Sequence, residues 1–231
     1  MFDINRHKFL LVQILKDVYS DIELADCLGF KGGTALMFFY ELPRFSVDLD
    51  FNLLHSGKES TAYQKIHEVL LKYGSIFDEA SKFYGPLIVL NYGYGERKLK
   101  VEISNRKFND SYEIKNLLGI NIKVMVQEDM FAHKLCALLD RNTMTSRDIF
   151  DCWFFMQRRT AINKSIVELR MEMTLSDYLQ KCIEHLESIS NRVLLHGLGE
   201  MMDDNIKKFV KTKLRSEVIG LLKIYKNFPI L

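Results

Sequence analysis

Residues 30 to 53 read Phe30-Lys31-Gly32-Gly33-Thr34-Ala35-Leu36-Met37-Phe38-Phe39-Tyr40-Glu41-Leu42-Pro43-Arg44-Phe45-Ser46-Val47-Asp48-Leu49-Asp50-Phe51-Asn52-Leu53. Gly32-Gly33-Thr34 ends a short apolar stretch and opens a helical run that Pro43 stops. Val47 to Phe51 alternates as a strand does. Residues two apart in a strand share a face, so Val47, Leu49 and Phe51 point one way and Asp48 and Asp50 the other. Two carboxylates side by side repel, and a divalent cation between them is one stable solution. A glycine turn at a helix N-terminus lets backbone N–H groups approach a phosphate. Each feature alone has a plain alternative: a solvated strand face, or a simple turn. Together and in order, they are the equipment for nucleotidyl or phosphoryl transfer.

Outward from this stretch, residues 4 to 26 carry Leu10, Leu11, Ile14, Leu15, Val18 and Ile22 at helical spacing. They predict one helix covering the sheet and ending before Gly29. Glu59 to Tyr73 predicts a second helix, with Ile66, Val69 and Leu70 inward. Strands are predicted over Pro86–Tyr92, Arg97–Ser104 and Ile120–Val126, the first two joined by a hairpin at Tyr92-Gly93-Tyr94-Gly95. On the Arg97–Ser104 strand, Leu99, Val101 and Ile103 share one face, and Lys98, Lys100, Glu102 and Ser104 the other. After Val126 every segment is helical in period: Gln127–Leu139, a helix through Met156 capped by Ser146, and about 162–172, 175–190 and 204–224. The fold class is therefore α+β, with a boundary near residue 126 that separates a sheet-containing part (1–126) from a helical part (127–231).

Composition agrees with globular structure. Of 231 residues, 48% are hydrophobic and 27% charged, enough for one core or two small ones. No apolar run approaches the roughly 20 residues that span a bilayer, and the N-terminus shows no secretion signal; the expected site is the cytoplasm. Cys27, Cys136, Cys152 and Cys182 are isolated, suggesting buried inert thiols rather than a zinc site or disulfides. The net charge of +2 says little about nucleic acid. Its distribution says more: Lys207, Lys208, Lys211, Lys213 and Arg215 form one basic group, and Arg158, Arg159, Lys164 and Arg170 a second. Either is a solvated helix face or a phosphate-contact surface.

The glycine turn, R-F-S and D-x-D together are similar to the signature of the AbiEii-type nucleotidyltransferases, the toxin components of bacterial type IV toxin–antitoxin systems. That family resembles the DNA polymerase β superfamily, whose first motif is Gly-[Gly/Ser] followed by Asp-x-[Asp/Glu]. The resemblance covers most of residues 25 to 155. It implies a polymerase-β-like mixed sheet with helices, an α-helical C-terminal domain, and an active site between them.

Further residues match the family in turn. Lys100-Val101-Glu102 resembles its third-acid strand, making Glu102 the candidate third carboxylate, with Glu in place of the commoner Asp. Lys134, in Ala-His-Lys-Leu-Cys-Ala, resembles a family lysine expected on the triphosphate; Arg141 lies seven residues on and shares its face. Arg147-Asp148-Ile149-Phe150-Asp151 resembles the family's R-D-x-x-D. One of its acids is expected to orient Lys134 or act as a base; the plainer alternative is an N-terminal helix acid beside an Arg147–Asp151 ion pair.

The resemblance thus implies catalysis by Asp48, Asp50, Glu102, Lys134, Asp148 and Asp151. Gly32, Gly33, Thr34, Lys134 and Arg147 would bind the nucleotide, and Mg²⁺ or Mn²⁺ would sit on Asp48, Asp50 and Glu102. A nucleoside triphosphate would be the donor, an RNA (the 3′ end of tRNA) the acceptor, and an antitoxin protein the partner. Two rivals remain: the same chemistry on a protein or small molecule such as an aminoglycoside, and a non-catalytic nucleotide- or partner-binding module of the same fold.

Overall fold

The computed structural model describes residues 3–140, 145–190 and 204–230. The chain divides into two compact units. The first comprises Met1–Glu41, Phe45–Lys107 and Tyr112–Met125; the second comprises Leu42–Arg44, Phe108–Ser111 and Val126–Leu231.

In the first unit, Asp3 caps helix α1 (Ile4–Ser20) by accepting from the Asn5 and Arg6 amides at 3.0 Å. Leu10, Leu11, Ile14, Leu15 and Val18 are buried as their spacing predicts. The single helix expected over 4–26 breaks at Asp21, which turns extended and caps a new helix, α2 (Ile22–Cys27), through the Glu23 and Leu24 amides. A short carboxylate that competes for backbone amides ends one helix and starts the next. Ile22, counted as a core position, is consequently 87% exposed. Strand β1 (Leu28–Lys31) follows with Gly29 inside it, then α3 (Gly32–Phe39), β2 (Leu49–Leu53), α4 (Glu59–Leu71), β3 (Ser75–Lys82), β4 (Gly85–Asn91), β5 (Leu99–Ser104), β6 (Tyr112–Leu117) and β7 (Ile120–Met125).

The seven strands form one sheet in the order β3-β4-β5-β2-β1-β7-β6. β2 runs parallel to β5 and antiparallel to β1, and β1 is parallel to β7. Leu49, Phe51, Val101 and Ile103 are buried, and Phe30 and Phe51 pack with ring centroids 5.4 Å apart. The two strands not foreseen, β3 and β6, are the sheet's edges. None of their side chains is fully buried, so no alternation marks them, and backbone pairing to β4 and β7 defines them. β6 and β7 are joined by Leu118 and Gly119, both at positive φ, the turn geometry that matches strand twist.

The second unit contains α5 (Gln127–Asp140), α6 (Ser146–Gln157), α7 (Lys164–Met171), α8 (Leu175–Ser188), α9 (Asp204–Thr212) and α10 (Leu214–Asn227) among the described residues. The helix predicted over 204–224 is two, interrupted at Lys213. Phe131 stacks on Phe155 at 5.1 Å, and the fully buried Tyr178 donates its hydroxyl to the carbonyls of Leu135 and Cys136. All four cysteines are free and buried. Arg141, expected to share a face with Lys134, lies outside the described residues.

Candidate functional site

In the first unit the chain leaves β1 and enters α3 through Gly32, which sits at φ +80°. A Cβ there would lie 2.3 Å from Oδ2 of Asp50 and 3.0 Å from its Cβ and Cγ. Only glycine combines that backbone with such a close approach. The residue before it, Lys31, gives α3 no side-chain cap, and the helix has no acid in its first turn. The positive end of the helix dipole thus begins beside the Asp50 carboxylate.

Asp50 occupies the middle of a charged row across the sheet. Its register partners are Lys31 on β1 and Glu102 on β5, so all three side chains leave the same face. Next along β2 and β5 on that face come Asn52 and Ser104, both buried. Asn52 donates to the Tyr112 hydroxyl at 2.8 Å, and the Tyr112 ring lies over Gly29, where a Cβ would stand 2.2 Å from it.

Asp48 precedes β2 and is half-buried. Its backbone is pinned from two sides. The Thr34 hydroxyl donates to the Asp48 carbonyl, so Thr34, foreseen as a nucleotide contact, anchors the segment that carries Asp48. One residue earlier, Nε2 of the buried His7 lies 2.9 Å from the Val47 carbonyl. A carbonyl only accepts, so Nε2 carries the proton and Nδ1 accepts from the Tyr92 hydroxyl, 2.6 Å away. Burial holds the His7 pKa below its ordinary 6.5 despite the Val47 bond and the Asp48 charge.

Among the described residues, no three His, Cys, Asp or Glu side chains are gathered closely enough to hold a metal by themselves. The donors still fit a magnesium-type ion. Asp48, Asp50 and Glu102 offer hard oxygens, and such ions are commonly bound through one or two carboxylates plus substrate phosphates, not by an all-protein cage.

The second unit builds a different arrangement. Arg44 and Asp151 form a buried two-point pair, Nε to Oδ1 and Nη2 to Oδ2, both 2.6 Å. Lys134 on α5 reaches Asp151 at 2.9 Å and Asp148 at 3.1 Å. Asp148 also accepts from the Thr145 hydroxyl at 2.6 Å, while Thr145 caps α6 through the Asp148 amide. The cap is therefore Thr145, one residue before the expected Ser146. The guanidinium on Asp151 is likewise not Arg147's. Arg147 is half-buried in the first turn of α6, and the pairing arginine comes from 107 positions earlier.

Among the described contacts, two cations, Arg44 and Lys134, meet two anions, Asp148 and Asp151. Burial pushes the Asp151 carboxyl upward, but Arg44 and Lys134 hold it below the usual carboxylate range. Burial alone would lower the Lys134 pKa; Asp151 and Asp148 overcome that and raise it.

The basic groups on the helices separate. Arg215 Nη1 donates to the carbonyls of Leu186, Glu187 and Ile189, closing the end of α8. Arg170 binds Asp140 and His133, Arg158 lies over the Phe154 ring, and Lys164 pairs with Glu168. Lys207 is bonded to Asp204, whereas Lys208, Lys211 and Lys213 project from the surface.

His7, Lys31, Arg44, Asn52 and Tyr112 were not foreseen as site residues. Arg44 had a signal, the R-F-S beside D-x-D. Lys31 had adjacency to the glycines. His7 lies 40 residues from the carbonyl it binds, and nothing local marks it.

Two solved structures from Helicobacter pylori resemble the chain over nearly its whole length. One, a candidate nucleotidyltransferase, is 20% identical with a TM-score of 0.64, covering 98% of this chain and 96% of its own. JHP933 is 21% identical with a TM-score of 0.62, covering 99% and 95%. An antigenic nucleotidyltransferase-like protein from Paracoccidioides brasiliensis is 13% identical with a TM-score of 0.52, covering 83% and 94%. These likenesses concern the α+β fold, which they share with this chain. No curated protein matches the chain in sequence. The family profile described as nucleotidyl transferase AbiEii toxin, type IV toxin–antitoxin system, matches residues 13–217, which span the glycine turn, the Lys31–Asp50–Glu102 row and the Lys134 cluster, and the chain belongs to that family.

Proposed function

We propose that the protein is a metal-dependent nucleotidyltransferase that moves a nucleotide from a nucleoside triphosphate to an RNA acceptor, the 3′ end of a tRNA, in the cytoplasm, and that a cognate antitoxin protein counters it. The observation that carries this reading is the seating of the Asp50 carboxylate against the Gly32 turn at the start of α3. It pairs an anion-binding helix end with an oxygen donor for a cation, and nucleotidyl transfer needs both.

Asp48 and Asp50, with Glu102 beside them in register, would hold Mg²⁺ or Mn²⁺; when bound, such an ion stabilises charge on the transferring phosphate. The amides at Gly32 and Gly33 hold a phosphate. Thr34 and His7 fix the backbone of Asp48, so its carboxylate is presented without reorganisation. The acceptor hydroxyl attacks the α-phosphate, the bond from that phosphorus to the β-phosphate oxygen breaks, pyrophosphate leaves, and the hydroxyl proton passes to solvent. Lys134 is the phosphate-neutralising cation and Arg147 its auxiliary. Because Asp148 and Asp151 already spend their oxygens on cations and Thr145, they orient Lys134 and do not act as bases.

The test is transfer of label from each of the four ribonucleoside triphosphates, labelled at the α-phosphate, to purified tRNA, with and without EDTA. Label should appear at the tRNA 3′ end, vanish with EDTA, and be absent for Asp48→Ala. Full activity of Asp48→Ala, or label only on protein, overturns the reading.

A further inference from the structure

The hairpin joining β3 to β4 closes at the Lys82–Gly85 pair, leaving Phe83 and Tyr84 alone as its turn. Two-residue hairpin turns favour Asn, Asp and Gly, for their backbone freedom. Two aromatic residues there do nothing for the turn. Nor do they enter the core: Phe83 is 88% exposed and Tyr84 52%. The rings meet edge to face, with centroids 4.9 Å apart.

The tip is nevertheless firmly built. Gly85 sits at φ +110°, and a Cβ there would lie 2.1 Å from the Ile103 carbonyl oxygen. The Asn105 amide donates to the Tyr84 carbonyl at 3.0 Å. That bond brings Arg106 to the hairpin, where its guanidinium lies over the Tyr84 ring, 4.8 Å from the centroid; Lys107 follows it in sequence, its amine 3.4 Å from the Ser56 hydroxyl. Lys82 precedes the turn. The nearby acid Glu59 is engaged by the Asn105 side chain at 3.1 Å.

Phe83 presents an exposed ring, Tyr84 stands edge to face beside it with Arg106 over its ring, and Lys82 and Lys107 adjoin Phe83 and Arg106 in sequence; together they match what unpaired nucleotides require, a π-face for a base and cations for phosphates. We propose that the β3–β4 tip is a stacking platform for single-stranded RNA, which rests on the RNA-acceptor reading above and adds a binding surface to it. Among the described residues, Lys82, Arg106 and Lys107 outnumber the one acid at this end of the hairpin, Glu59, which suits a polyanionic occupant, and the exposed Phe83 ring selects strands whose bases are not already paired.

The test is fluorescence anisotropy of the full chain with a fluorescein-labelled oligouridine, without nucleotide or metal. Phe83→Ala with Tyr84→Ala should weaken binding about tenfold or more, the scale of one base–aromatic stack. Phe83→Trp should retain binding and Phe83→Leu should not, because leucine keeps the apolar surface and loses the π-face. Lys82→Ala with Lys107→Ala should flatten the log–log salt dependence by roughly 0.7 for each phosphate no longer neutralised. The same oligouridine annealed to its complement should bind the wild type and the double alanine variant alike.

Wild-type affinity in the double alanine variant overturns the platform, as does equal binding by the Leu and Trp variants, which would indicate an apolar surface for a protein. No oligouridine binding by the wild type also overturns it. The tRNA-labelling assay fails or succeeds independently, since it reads where the nucleotide goes.

Discussion

Gly32→Ala tests the site at its most crowded point. Two costs separate cleanly. Placing a non-glycine residue at φ +80° costs about 1–2 kcal/mol of backbone strain. The new methyl would also stand 2.3 Å from Asp50 Oδ2, so one of them must move by roughly 1 Å to reach an ordinary separation. Rotating the carboxylate relieves only part of this, because the Asp50 Cβ itself lies at 3.0 Å. Gly119 provides the control. It has φ +87° with nothing within 4 Å of its virtual Cβ, so Gly119→Ala carries the strain without the collision. Both variants should lose a similar 1–2 kcal/mol in urea unfolding, with Gly32→Ala somewhat more destabilised. A misplacement of about 1 Å at a reacting centre costs on the order of 100-fold in rate, so transfer by Gly32→Ala should fall by about that factor while Gly119→Ala keeps wild-type activity. Equal activity in the two variants would refute the inference that Gly32 exists to seat Asp50.

His7→Ala strips partners from the Val47 carbonyl and the Tyr92 hydroxyl and should cost about 1–3 kcal/mol in unfolding; it should also lower kcat more than it raises KM, with His7→Gln recovering part of the loss. The depressed His7 pKa makes the group neutral in the fold, so its contribution is full above pH 6.5 and lost as pH falls through the folded value; unfolding of His7→Gln should be less pH-sensitive below 6.5 than that of the wild type. Asp151 is also depressed, so its contribution is present above its ordinary 3.8 and lost on further acidification. Asp151→Asn leaves Arg44 and Lys134 buried against a neutral amide and should cost about 3–5 kcal/mol at neutral pH, read by chemical denaturation. Replacing Lys207, Lys208 and Lys211 by alanine should flatten the salt dependence of tRNA binding by roughly 0.7 for each phosphate these lysines neutralise and leave triphosphate binding in Mg²⁺ unchanged; an unaltered slope returns those lysines to a solvated face.

What was legible in the sequence followed from periodicity and local chemistry. Leu49 and Phe51 alternate with Asp50, Leu99 to Ile103 alternate around Glu102, and the Gly32 turn announces itself by residue type. Boundaries failed where one polar side chain decided them. Asp21 cut the predicted first helix in two, and Thr145 took the cap expected of Ser146. The edge strands β3 and β6 were invisible because backbone pairing, not burial, makes them. The Arg44–Asp151 pair shows a further limit. Arg147, four residues away on the same helix, was the natural partner by spacing, yet the cation that reaches Asp151 comes from a segment 107 residues earlier. Helical spacing says which residues can meet on one helix, and says nothing about what another segment brings to its buried side.

The acids divide into two kinds by how their charge is met. Asp148 and Asp151 are almost wholly buried, and within the fold Arg44, Lys134 and Thr145 satisfy them. A buried ion-pair cluster loses heavily if one member is removed. Asp48, Asp50 and Glu102 are half-buried, and Asp50 and Glu102 are direct register partners of like charge, which destabilises a strand pair when no counter-charge is near. Lys31, on the other flank of Asp50, offsets one of these charges by position and leaves the row net negative. By formal charge, three carboxylates against Lys31 make the sheet face the place where the proposed divalent cation is expected, and the paired helical cluster is not. It follows that Mg²⁺ should raise the melting temperature of the wild type, that Asp50→Asn should shrink that rise, and that Asp151→Asn should leave it intact. A rise lost equally in both variants would place the cation elsewhere and refute the division.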